Sequence, residues 1–226
     1  MKHAFAMARQ RGLSLVELLV GISVGLFVLA GATLLLSTQL GDNRRLLLET
    51  QLQQDLRATM DIITRELRRA GVNTDQAVNN VWQPGFAGAL NNALAPVTLA
   101  EDGSEIVYRY RRLGAEGPYG FRFADGRIRS LIGGNWQELT DAAVMTVTDF
   151  SVVEEEEAVE RLPCPKACSA DPDDVSCWPT LTVRTFSVSI EVQSVSEPAL
   201  RRSQNSRVRV RNDRLGFNNG AALCPA

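Results

Sequence analysis

The sequence predicts an α+β protein. One long N-terminal helix, transmembrane and then amphipathic, packs on an antiparallel β-sheet. Three observations predict it. An apolar block from Leu13 to Gly41 carries a single charge, Glu17. Leu48, Leu52, Leu56, Met60, Ile63 and Leu67 then recur at steps of four or three, which is one helical face. From about residue 105 onward the apolar residues alternate with polar ones between turn signals, as half-buried strands do.

The first element is the apolar helix. About 20 residues at ~1.5 Å each cross the ~30 Å hydrocarbon core of a bilayer, and this block is long enough. Lys2, Arg9 and Arg11 precede it without an acid among them. Positive charge just ahead of a span keeps that end in the cytoplasm and sends the rest to the periplasm. A carboxylate near one end of such a helix costs about 2.5–3.5 kcal/mol or less on insertion scales, so Glu17 calls for a partner. A cleavable secretory signal would have a shorter apolar core followed by a small-residue cleavage site. Here Gly12 lies before the core and no A-x-A follows it.

Gly12-Leu13-Ser14-Leu15-Val16-Glu17-Leu18 matches the pattern G-[FLM]-[ST]-L-[VIL]-E-L. A basic leader, this heptad and a long apolar helix together resemble the class III signal of type IV pilins and of type II secretion pseudopilins. The resemblance implies that a prepilin peptidase cuts between Gly12 and Leu13 and methylates the new amine of Leu13. It implies that the helix rests in the inner membrane and leaves it when the subunit joins a filament. It also implies that Glu17 pairs with the Leu13 amine of a neighbouring subunit. A buried ion pair recovers its desolvation cost only in good geometry, so such a pair gauges register more than it adds stability. Leu at the first mature position, where many pilins have Phe, is a departure.

The helix is expected to continue past Gly41-Asp42-Asn43 into the amphipathic stripe and to stop at Ala70-Gly71. Leu13 to Ala70 would span roughly 87 Å at 1.5 Å per residue. Gly21, Gly25 and Gly31 allow close approach of neighbouring helices and weaken the helix locally. Many major pilins carry a proline late in this segment, and this chain has none there. Residues 72 to about 100 read as an irregular connection with a short helix near Gly88–Leu94, and Trp82 and Phe86 read as packing anchors.

Strands follow. Ile106 to Tyr110 is one. Phe121-Arg122-Phe123 and Arg127-Ile128 flank Ala124-Asp125-Gly126, and Asp-Gly is a strong hairpin signal. Gly133-Gly134-Asn135 reads as a turn before Trp136 to Leu139, and Val144 to Val153 as a further strand. Leu181 to Val183 and Phe186 to Val192 alternate with a change of phase, which predicts a bulge near Arg184-Thr185. Arg207-Val208-Arg209-Val210-Arg211 closes the sheet with its arginines outward. The Leu67-Arg68-Arg69-Ala70-Gly71 stop and Val208-Arg209-Val210-Arg211-Asn212 resemble the PilW-type minor pilins, which are related to the J-type minor pseudopilin of type II secretion.

Composition excludes several functions. The only histidine is His3, in the leader, so a mature chain runs no Ser-His or Cys-His nucleophile and builds no histidine zinc site. A Ser–Lys dyad would have to use Lys166, the one lysine beyond the leader, which sits in a cysteine-rich loop. Without Lys2, Arg9 and Arg11, 21 basic residues face 26 acidic ones, a net charge near −5. A general nucleic-acid binder leans the other way.

Cys164, Cys168, Cys177 and Cys224 fall in the part expected to be periplasmic, where two disulfides are the default. Four cysteines permit three connectivities. The expected set is Cys168–Cys177 closing the loop and Cys164–Cys224 tying down the C-terminus, a tie that resembles the disulfide-closed loops of many pilins. A four-thiolate zinc site is the rival, with spacing unlike paired C-x2-C knuckles. Asp171, Asp173 and Asp174 read as a solvated loop, with calcium the alternative. Glu154 to Glu157 read as a solvated strand end, with a partner-binding edge the alternative. Arg207, Arg209 and Arg211 read as internally paired or solvated, with contact to another subunit, or with DNA, as the alternatives.

The expected organisation is therefore a cleaved leader at 1–12, a transmembrane and filament-core helix at 13–41, an amphipathic helix half at 42–71, and a periplasmic α+β domain at 72–226. The expected function is that of a minor pilin in type IV pilus assembly, with no catalysis of its own and no cofactor, metal or small-molecule substrate. The expected partners are prepilin peptidase, the other minor pilins, the major pilin and the inner membrane. The rival within the class is a J-type minor pseudopilin; outside it, a membrane-anchored periplasmic enzyme.

Overall fold

The computed structural model describes residues 12, 14–72, 94–112, 114–211 and 213–216. They form helix α1 (Leu15–Leu67) and nine strands: β1 (Val97–Leu99), β2 (Glu105–Arg112), β3 (Ala115–Ala124), β4 (Arg127–Ile132), β5 (Asn135–Glu138), β6 (Met145–Arg161), β7 (Thr180–Ser194), β8 (Arg201–Arg209) and β9 (Arg214–Gly216). The chain divides into two compact units, Met1–Leu48 and Glu49–Ala226.

In the first unit every described residue of α1 up to Leu47 is exposed, including Leu15, Val20, Leu29 and Leu40. The segment is long and apolar enough to cross a membrane. Ser23 and Thr33 return their hydroxyl hydrogens to the carbonyls of Leu19 and Leu29 at 2.8 Å, so neither leaves a donor free in an apolar setting.

In the second unit α1 buries Leu52, Leu56, Met60, Ile63 and Leu67 to 2% exposure or less. Each such side chain contributes about 1.5–3 kcal/mol by leaving water. The helix ends where the stripe ends. Gly71, with φ 78°, makes the left-handed turn out of it, and Gly71 donates to the Arg109 carbonyl at 2.8 Å. Arg111 in turn donates to Val72 at 2.7 Å, so the exit from the helix extends the edge of β2 beyond β1.

The strands form two antiparallel sheets rather than one. Sheet A has the order β1-β2-β3-β4-β5; sheet B has β6-β7-β8, with β9 also on β7. Ile106, Tyr108, Tyr110, Phe121 and Ile128 make the core face of sheet A. Val147, Phe150, Val152, Phe186, Val188, Ile190, Val192 and Val208 make that of sheet B. Asp125 (φ 54°) and Gly126 (φ 70°) form the two-residue turn of the β3–β4 hairpin, both left-handed as a primed turn requires.

Three expectations need correction. Strand β1 lies in the stretch read as irregular; residues 73–93 of that stretch, with Trp82, Phe86 and all but Leu94 of the short helix, lie outside the described residues. The acid run is not a strand end, because β6 continues to Arg161 and pairs Glu154, Glu155 and Glu156 with Phe186, Thr185 and Arg184. The bulge is not in β7. Thr182, Arg184, Phe186, Val188, Ile190 and Val192 are buried at every second position, with Thr185 also buried between two of them. The irregularities lie across from it in β6, between Val147 and Asp149 and between Glu156 and Val159, one extra residue each. The apparent change of phase came from an arginine and a threonine standing at inward positions.

Candidate functional site

The sequence singled out the start of α1, and local chemistry builds it. Ser14 is the residue before the helix. Its Oγ accepts the Glu17 backbone N–H at 3.2 Å, and its carbonyl accepts Leu18 N–H at the same distance. Ser14 is thus the N-cap, satisfying one of the amides that a helix start leaves open. Sequence reading missed this role, although Ser14-x-x-Glu17 is the spacing of a capping box. Glu17 lies in the first turn and is exposed. A carboxylate there is favoured by the partial positive charge of the helix N-terminus. Gly12 is exposed, with nothing within 4 Å of where a Cβ would stand. Leu13 lies outside the described residues.

The cysteine loop joins β6 to β7. Cys168 and Cys177 form a disulfide with Cα atoms 5.6 Å apart, so these two are not thiolate ligands for zinc. Trp178 Nε1 donates to the Lys166 carbonyl at 2.9 Å across the loop. Cys164 is also disulfide-bonded; Cys224 lies outside the described residues. Asp171 and Asp174 cap turns, accepting the Asp173 and Ser176 amides at 3.0 Å each. Hydrogen bonds from Ser176 hold the Asp174 carboxyl below its usual value. Among the described residues no group of three His, Cys, Asp or Glu is placed to hold a metal ion.

On the outer face of sheet B, Arg207 pairs with Glu155, which also accepts from Ser187 Oγ. The Ser187 hydrogen bond first, then Arg207, lower the Glu155 pKa. Arg209 reaches Asp213 Oδ2 at 3.1 Å. Arg211 does not share their strand; β8 ends at Arg209, and the Arg211 backbone donates to the Arg68 carbonyl at 3.4 Å. On the opposite face Arg184 is 2% exposed, with Glu154 Oε1 4.0 Å from its Nε and no hydrogen bond to Nε or Nη2. Burial lowers its pKa.

A glycine directly ahead of a capped, acid-bearing apolar helix, in front of an α+β head, defines a type IV pilin-like protein. Comparison with known families agrees from both ends of the chain. The prokaryotic N-terminal methylation motif matches residues 7–33, and the family described as prepilin peptidase-dependent protein B matches residues 45–210. The chain belongs to the prepilin peptidase-dependent protein B family. No curated protein and no solved structure matches it.

Proposed function

We propose that the chain is a minor pilin that takes part in assembling and priming a type IV pilus. Before assembly it is a single-pass inner-membrane protein, its N-terminus cytoplasmic and its β-rich head periplasmic. Prepilin peptidase removes residues 1–12 and methylates Leu13. The helix then moves from lipid into the filament, where Glu17 meets the Leu13 amine of a neighbour, either another minor pilin or the major pilin. The protein is a structural subunit and performs no reaction.

The observation that carries this reading is the exposed apolar stretch of α1 from Leu15 to Gly41, opened by Ser14 and Glu17 directly after Gly12. An apolar helix exposed all round needs lipid or other helices about it. The test is Gly12→Ala in the native host. The leader should stay attached by mass spectrometry, and surface filaments should fall in number. Normal filaments assembled beside an uncut chain would remove the protein from pilus assembly.

A further inference from the structure

The outer face of sheet A carries a site that the helix start does not explain. Register places two rows of side chains across it. Glu105, Arg122, Arg129 and Glu138 stand opposite one another on β2, β3, β4 and β5, and Val107, Gly120, Leu131 and Trp136 form the next row. Successive residues of a strand alternate between faces, so both rows lie away from the core face of Ile106, Tyr108 and Phe121. Gly120 is fixed as glycine, since a Cβ would stand 2.5 Å from the Ile106 carbonyl oxygen. The apolar row therefore has no side chain between Val107 and Leu131.

Among the described residues the charges of this face are paired except for Arg122 and Glu105, which stand opposite one another. Arg109 and Arg111 pair with Glu116, Arg127 with Glu138, and Arg129 with Asp125 at 3.0 Å. Arg122 makes no ion pair among the described residues, although Glu105 and Arg129 are its cross-strand neighbours. Its guanidinium carbon lies 4.3 Å from the centre of the Trp136 ring, and its Nε is buried without a hydrogen-bond partner. A guanidinium stacked on indole is already oriented, so it loses little freedom on binding, and its fork suits a carboxylate in two-point contact. Arginine and tryptophan beside an apolar row are also the residue types that dominate the centres of protein interfaces.

We infer that Arg122 on Trp136 is a docking point for an aspartate or glutamate side chain of a neighbouring pilin-like subunit, with the half-buried Val107 as its apolar surround, Leu131 being itself buried. This rests on the assembly reading, which supplies such neighbours. Charge selects protein over nucleic acid: a phosphate backbone needs several unneutralised cations together, and here one stands among Glu105, Glu116, Glu138 and Asp125.

The test is photo-crosslinking in the native host, using the full chain with p-benzoylphenylalanine in place of Arg129. The expected product joins the chain to another pilin-like subunit at a peptide containing Asp or Glu. Arg122→Glu should lower its yield about tenfold, as losing one charge-assisted pair at an interface does. Arg122→Gln should lower it comparably while keeping the wild-type thermal midpoint, and changing the partner carboxylate to arginine should restore it in the Arg122→Glu background. Unchanged yield in both Arg122 variants, no product, or a product with nucleic acid overturns the inference. If the Gly12→Ala test supports a pilus subunit while the crosslink fails, only this docking point falls. Normal filaments from uncut Gly12→Ala chain remove the assembly reading itself.

Discussion

Tyr110 donates its hydroxyl to Glu66 Oε2 at 2.9 Å, so the second strand of sheet A holds the last turns of α1 by a direct hydrogen bond. Arg69 donates to the other oxygen of the same carboxylate at 2.6 Å. Tyr110 also stacks on Tyr119 with ring centres 4.0 Å apart. Burial first, then the bond to Glu66, push the Tyr110 pKa up to about 12 from 10.0.

Tyr110→Phe keeps the ring and removes the bond. It should destabilise the full chain in detergent by about 0.5–1.5 kcal/mol, read as a lower thermal midpoint at neutral pH. The pH dependence has a definite sign. A folded-state pKa raised above the unfolded one gives stability that is full below pH 10 and drains as pH rises towards 12. The variant should lose less over that window. Burial raises the Tyr108 pKa too, so a residual alkaline slope should remain.

Glu155 predicts the acid side. Its pKa is lowered from 4.5, so its contribution is present above that pH and is lost as pH falls below it. Glu155→Gln should flatten the thermal midpoint against pH below about 4.5, and Arg207→Gln should do so less, since the Ser187 bond survives. Equal slopes in wild type and Glu155→Gln would show that the Ser187 and Arg207 contacts do not form in solution.

Arg184 is charged, buried and short of partners. A methionine of similar length needs none, and replacing buried ions with apolar groups is often neutral or stabilising by about 1–4 kcal/mol. Arg184→Met should therefore match or exceed the wild-type thermal midpoint. A large fall would mean that Nε and Nη2 hold buried waters that the fold depends on.

The Cys168–Cys177 bridge closes a short loop, and loop entropy gives it about 2–3 kcal/mol. The double change of Cys168 and Cys177 to serine should lower the thermal midpoint accordingly. Non-reducing peptide mapping of that variant should still recover Cys164 joined to Cys224.

On the proposed pairing of Glu17 with a neighbour's Leu13 amine, Glu17→Ala should leave membrane insertion intact and reduce incorporation into filaments, since the amine would then be buried unpaired. Membrane fractionation and filament counts separate the two steps. Undiminished filament number would dismiss the pairing of Glu17 with a neighbour.

How far the sequence revealed this molecule depends on where polar residues stand. The helix stripe, its stop at Gly71 and the Asp125-Gly126 hairpin were legible, because apolar period and left-handed turns leave plain marks. Sheet B was harder to read. An arginine facing inward at 184 disguised the phase of β7, and four glutamates disguised the middle of a 17-residue strand as its end. Cross-strand pairing, which no local pattern records, joins Glu155 to Arg207 over 52 residues. The start of α1 was legible as a motif, while the capping by Ser14 was overlooked in favour of its neighbours. The stacking of Arg122 on Trp136 depends on registers across three strands, beyond any single stretch of sequence.

Two turns of sheet A finish against sheet B: the Gly126 carbonyl accepts Val147 N–H at 2.8 Å and the Gly103 carbonyl accepts Val152 N–H at 3.0 Å. Gly103 has φ 73°, and a Cβ there would lie 2.9 Å from the Val152 oxygen. These turns stopper the early rim of β6, and the later rim bristles with acids. Two copies of this chain that met along β6 would find little bare margin on that strand through which to zip together.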